Sequence, residues 1–194
     1  EDSELSLDEI FAKRTALVPE FAKIVCASVA FVMDNNEVKK QTFSNDNEGE
    51  LLKDLQTLLR AFRIVRNSIT NAKLIIIGIG PLEEELKEIA SDLNVIDDIY
   101  WVGKTANVFD YMQIFNVFVL TSRYEGFGLV LLEAMSMNLP IVSSNNSAFP
   151  EVLGKDFIGL CETGNENIFA EKMVNVLNDK FKRELLLAHH KKNH

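Results

Sequence analysis

Two cysteines, Cys26 and Cys161, in 194 residues are too few for a disulfide framework, and their spacing matches no metal motif. Both read as small core hydrophobes. Histidine is equally scarce: all three, His189, His190 and His194, fall in the last six residues. That polar tail reads as a frayed terminus rather than a metal site. Basic side chains are outnumbered, 20 Lys and Arg against 29 Asp and Glu, for a net charge of −9 and a pI near 4.9. This balance opposes sequence-independent nucleic-acid binding, which needs cations to neutralise phosphates, but leaves local phosphate sites open. Long apolar runs are absent too. Leu74-Ile75-Ile76-Ile77 is strand-sized, far below the ~20 residues of a membrane helix. The opening Glu1-Asp2-Ser3-Glu4 has neither the basic start nor the apolar run of a signal peptide, so a reducing, cytoplasmic setting is expected.

What is present is ordinary globular material: 47% hydrophobic, 25% charged, mean hydropathy +0.03. At this length roughly 70% of the unfolded surface can be buried, enough for one unstapled core. Strand and helix patterns alternate along the chain. A weak helical pattern runs from Glu4 to Phe21, and Ile24 to Met33 reads as a buried strand. Asp34 to Glu50 is polar and reads as a loop. Leu51, Leu55, Leu58, Leu59, Phe62 and Val65 then mark one helix face, with Lys53, Asp54, Gln56, Arg60 and Arg63 on the other.

Leu74 to Gly78 lacks polar alternation and should be buried on both faces, as in a parallel sheet. Gly78-Ile79-Gly80-Pro81 turns the chain into a helix over Leu82–Leu93. Ile99–Val102, Val117–Leu120, Pro140–Val142 and Phe157–Cys161 read as further strands. Val108–Ile114, Gly128–Met137 and Asn167–Asn178 read as helices. This rhythm predicts an α/β fold, a doubly wound parallel sheet of right-handed βαβ units. We expect an N-terminal unit over 1–50, a Rossmann-like domain over 51–180 and a tail over 181–194.

In such sheets ligands bind beyond the carboxyl ends of the strands. The segment after Val117–Leu120 reads Thr121-Ser122-Arg123-Tyr124-Glu125-Gly126-Phe127-Gly128. Two glycines at the mouth of a helix bare backbone N–H groups suited to a phosphate. From Gly126 to Val142, seventeen residues, Glu133 carries the only charge. A helix apolar all round should be buried. A carboxylate within it needs a partner, either a buried Arg or Lys or the hydroxyls of a ligand such as a ribose diol. Glu125 lies eight residues earlier; alone it reads as a solvated loop acid.

Glu125-Gly126-Phe127-Gly128-Leu129-Val130-Leu131-Leu132-Glu133-Ala134-Met135 resembles the E-x7-E signature of GT-B fold, family-4 (group 1) retaining glycosyltransferases. Ile77-Gly78-Ile79-Gly80-Pro81, Tyr100-Trp101-Val102-Gly103, Val117–Ser122, Pro140–Ser144 and Pro150-Glu151-Val152 resemble its flanking elements. The resemblance runs from about Leu51 to Asn178. It implies a Rossmann-like half of a GT-B fold that binds the donor, a UDP- or GDP-sugar. Glu133 would hold the ribose hydroxyls, Glu125 would contact the donor sugar, and Gly126, Phe127, Gly128 and Leu129 would offer amides to the diphosphate. Lys53 would be the cation for the departing phosphate, with an ordinary surface lysine as the alternative. Val102, Gly103 and Lys104 would lie on the nucleotide side, although Lys104 reads better as a solvated loop lysine. No metal and no cofactor are expected.

Three positions depart from the family. Asn47 stands where an arginine, a second phosphate cation, is usual, and Lys39 or Lys40 could substitute for it. Asn138 replaces a glycine after the site helix, a conservative change because Asn tolerates the left-handed conformation. Ser147-Ala148 replaces a usual pair of glycines. The acceptor-binding domain lies outside the matched region, so this chain alone is expected to transfer sugar poorly or not at all. Lipid-linked glycans, polysaccharides and small metabolites all remain acceptors, and the cytoplasmic face of a membrane is a second expected location. The same residues leave open a sugar-nucleotide 2-epimerase half and a non-catalytic binding domain. A nicotinamide-dependent dehydrogenase fits worse, because Glu83 occupies the third glycine position.

Overall fold

The computed structural model describes residues 23–28, 45–78, 80–103, 105, 108–123, 129–146 and 148–179. The expected helix over 4–21, the far end of the first strand and the tail lie outside them. The elements run β1 (Lys23–Ser28), α1 (Asn45–Ser68), β2 (Ala72–Ile77), α2 (Glu83–Asp92), β3 (Ile99–Gly103) and α3 (Val108–Met112). They continue with β4 (Val117–Leu120), α4 (Leu129–Ser136), β5 (Ile141–Ser144), α5 (Phe149–Leu153), β6 (Leu160–Cys161) and α6 (Glu166–Asn178).

All six strands join one sheet in the order β3-β2-β1-β4-β5-β6, and every pairing between named strands is parallel. This is the doubly wound order with its reversal between β1 and β4. β1, from the expected 1–50 unit, is therefore a central strand, and α1 runs across residue 50. Leu74 to Ile77 and all of β4 and β5 are buried, as strands covered by helices on both faces must be. The α1 helix packs against both α2 and α6 to form one helical layer. Phe62, Phe118, Phe149 and Phe169 are the largest fully buried side chains. Each contributes on the order of 1.5–3 kcal/mol by leaving water.

The structure corrects several boundaries. Residues 45–50, read as loop, form the first turns of α1. Asn47 thus stands in a helix, not at a strand end. Phe157 to Gly159, read as strand, is a turn that leaves only Leu160–Cys161 in the sheet. Phe157 N donates to Gly154 O, and Lys172 Nζ caps the Ile158 and Leu160 carbonyls. The α5 helix was not foreseen; Pro150 in its first turn lacks only an N–H that had no partner there anyway. Asn138 adopts φ +53°, so it does take the left-handed conformation that a glycine would otherwise supply.

Cys161 is free and buried, and burial pushes its thiol up to about 12. Among the described residues no helix is long and apolar enough to cross a membrane.

Candidate functional site

Strand register defines the carboxyl edge of the sheet. Gly103 pairs with Ile77, Ile77 with Ser28, and Leu120 with Ser143, so these residues stand along one rim. The crevice of a doubly wound sheet opens where strand order reverses, here between β1 and β4. Both α1 and α4 follow these two strands, so their sequence positions bring them to that crevice.

Of the expected site residues, Leu129 and Glu133 sit on α4, one turn apart. The helix is not buried all round. Val130, Leu131, Ala134 and Met135 are buried, whereas Leu129 is 65% exposed, Leu132 and Glu133 are half-buried and Ser136 is exposed. Positions 129, 132, 133 and 136 follow the i, i+3, i+4, i+7 stripe of one helix face. Hydrophobicity could not distinguish this accessible face from the buried one, because Leu129 and Leu132 are as apolar as the residues behind them.

Glu133 therefore lies on the accessible stripe. Burial pushes its carboxyl above the usual range, and no cation or hydrogen-bond donor among the described residues meets the carboxylate. Of the two readings that the sequence left open, an internal Arg or Lys partner is not found among these residues. Its backbone carbonyl accepts from Ser136 Oγ at 2.7 Å.

Val102 and Gly103 end β3, both half-buried. Gly103 has φ +72°, and its carbonyl accepts from Gly78 N at 2.8 Å, locking the ends of β2 and β3 together. Three strand spacings separate β3 from β4, roughly 14 Å along the rim. Lys53 is exposed on α1, and its carbonyl accepts from Thr57 Oγ1 at 2.8 Å. Lys104, Glu125, Gly126, Phe127 and Gly128 lie outside the described residues, as do Lys39, Lys40 and Ser147.

The arrangement adds a pair that sequence reasoning missed. Asp54, assigned to the solvent face of α1, is only 4% exposed. Its Oδ2 accepts from the backbone N–H of Arg123 and its Oδ1 from Arg123 Nε, both at 2.8 Å. Arg123 stands three residues past the end of β4, so the pair crosses the switch point. Burial pushes the Asp54 carboxyl up, and this outweighs the opposing pull of Arg123. A signal for it existed: Asp54 precedes Leu58, Ala61 and Val65 by four, seven and eleven residues, which is the stripe of buried residues on α1.

Two further features lie at the edges of the sheet. Ser143 and Ser144 end β5 with buried hydroxyls that have no partner among the described residues. At the opposite, amino edge, Asp98 accepts from Arg66 and Lys73 at 2.5 Å each. Burial alone would raise its carboxyl, but these two cations hold it below the usual carboxylate range.

The chain's sequence matches the family of glycosyl transferases group 1 over residues 35–192. It is similar to the N-acetyl-alpha-D-glucosaminyl L-malate synthase of Bacillus anthracis, 29% identical over 160 residues that cover 78% of this chain and 42% of that protein. Its fold is similar to the C-terminal domain of a glycosyl transferase group 1 family protein from Francisella tularensis. There the TM-score is 0.70 at 17% identity, covering 99% of this chain and 91% of that one. It is also similar to an Anabaena protein, HepE, solved with UDP and glucose, with TM-score 0.70 and 17% identity over 98% of this chain and 50% of that one. The chain spans less than half the length of the curated relatives it matches. By its sequence match across most of its length and by its Rossmann-like fold, the chain belongs to the group 1 glycosyltransferases, whose fold is GT-B.

Proposed function

We propose that this chain is the donor half of a retaining hexosyltransferase, binding a UDP- or GDP-sugar at the β1–β4 switch point. One observation carries the reading: Glu133, on the accessible face of α4, is a half-buried carboxylate with no partner among the described residues. A desolvated carboxyl without an internal cation fits hydrogen bonding to a ligand, and a ribose diol supplies two hydroxyl donors for it. The Anabaena neighbour, solved with UDP and glucose, supports that choice of ligand class.

In the reaction the bond from sugar C1 to the diphosphate oxygen breaks and a bond to the acceptor oxygen forms. The acceptor hydroxyl gives up its proton, and a nucleoside diphosphate leaves. Negative charge grows on the departing oxygen, so fixed donors and a cation there lower the barrier. We assign Lys53 as that cation and the amides of 126–129 as the donors. Glu125 is assigned to the donor sugar. Val102, Gly103 and Lys104 are assigned to the nucleotide side of the rim.

The acceptor is held by a second domain, so this chain by itself binds donor without efficient transfer. The same reading places the enzyme in the cytoplasm, at a membrane face where the acceptor is lipid-linked. A thermal-shift panel of UDP, GDP and ADP tests it. A nucleotide at 100 times its Kd should stabilise the chain by about 2.7 kcal/mol. Glu133→Ala should remove most of the shift and Lys53→Ala should reduce it. No shift with any nucleotide refutes the reading.

A further inference from the structure

Most charged contacts among the described residues are explained by the fold alone. Lys87 pairs with Glu83 and Glu84 along α2, and Asp98 ties α1 to the amino ends of β2 and β3. The Asp54–Arg123 pair differs in place and in form. It joins residues 69 apart in sequence, and it stands at the carboxyl edge, beside the crevice. One carboxylate takes both the backbone N–H and the Nε of a single residue, so it fixes the chain's path and the side chain together. A third element closes on the same guanidinium: a Cβ added at Gly164, in the turn before α6, would stand 3.2 Å from Arg123 Nη2. For stability alone a buried ion pair is a poor choice, since apolar residues of similar volume do as well.

We propose that Asp54 is a positioning residue of the donor site. Through Arg123 it sets where the β4–α4 connection leaves the sheet, and hence where Glu133 stands relative to Lys53, the residue next to Asp54 on α1. The inference rests on the donor-site reading above. It adds to it the part that holds two site elements in register across the switch point, where misplacement by about 1 Å is costly.

The test is calorimetric titration of UDP and GDP into wild type, Asp54→Asn, Arg123→Gln, the double variant and Asp98→Asn, each verified as folded by circular dichroism. Asp54→Asn and Arg123→Gln should each raise the Kd by about tenfold, the worth of a charged hydrogen bond. The double variant should bind no worse than the weaker single one, because both cut the same link. Asp98→Asn should lower the melting temperature yet leave the Kd within about twofold, as expected for a site far from the crevice. Should Asp54→Asn fail to fold, Arg123→Lys and Gly164→Ala perturb the link from its other sides, and either should weaken binding. Wild-type affinity in folded Asp54 or Arg123 variants that melt early makes the pair merely structural and overturns the proposal. A wild-type chain that binds neither nucleotide overturns the donor-site reading itself, and the proposal with it.

Discussion

Replacing Arg123 by Met keeps an unbranched side chain but removes the guanidinium from a carboxylate that is 4% exposed. The backbone N–H of residue 123 remains as a donor; the Nε bond and the positive charge are lost. Removing one partner of a buried ion pair costs 3–5 kcal/mol. Because the Arg123 side chain is 33% exposed, the low end applies, about 3 kcal/mol.

The loss should depend on pH in a defined direction. Asp54 is raised by burial even in the wild type, so the folded state holds its proton more tightly than the unfolded state. Such a group adds stability at low pH and loses that contribution as pH rises from the unfolded value, near 3.9, through the folded one. Without Arg123 the folded value moves higher still and widens that window. The penalty of Arg123→Met should therefore be full at pH 8 and shrink toward pH 5.5. Urea unfolding followed by Trp101, the sole tryptophan, reads this directly. With a slope of about 2 kcal/mol per M, the midpoint should fall by about 1.5 M at pH 8. A loss below about 0.5 kcal/mol, or one equal at both pH values, would show a screened surface pair and refute the reasoning.

Other expectations follow from single contacts. Gly159→Ala drives a Cβ into the Ile141 carbonyl oxygen and the Phe157 ring, so it should destabilise the fold by about 3 kcal/mol in the same urea assay. Because burial pushes the Cys161 thiol to about 12, this cysteine should resist a thiol-reactive dye at pH 8 until the chain unfolds. Reaction of native Cys161 at the rate of a free thiol would contradict its burial, and Cys26→Ser isolates the measurement. In Lys53→Ala the melting temperature of the ligand-free chain should stay within about 1 °C, since Lys53 is exposed and its side chain anchors nothing among the described residues.

Much of the fold was legible because buried parallel strands are continuous apolar runs. Leu74–Ile77 and Val117–Leu120 announce themselves for that reason. The start of α1 was hidden because Asn45-Asp46-Asn47-Glu48-Gly49-Glu50 carries no apolar residue from which a helical stripe could be read. Pro150 hid α5, since a helix breaker in the interior is harmless in the first turn. At the site, the apolar context of Glu133 made it conspicuous, and the structure adds which face of α4 is open. Asp54 stayed illegible because its partner, Arg123, is 69 residues away, and an acid flanked by Lys53 and Gln56 looks solvated. Only its step to Leu58 and Ala61 betrayed the burial.

The most direct test of the ribose grip assigned to Glu133 compares a nucleoside diphosphate with its 2′,3′-dideoxy analogue on wild type and Glu133→Ala. Two charged hydrogen bonds predict that wild type loses about a hundredfold in affinity for the dideoxy form, whereas Glu133→Ala binds both forms equally and weakly. The same discrimination in Glu133→Ala as in wild type would contradict the account.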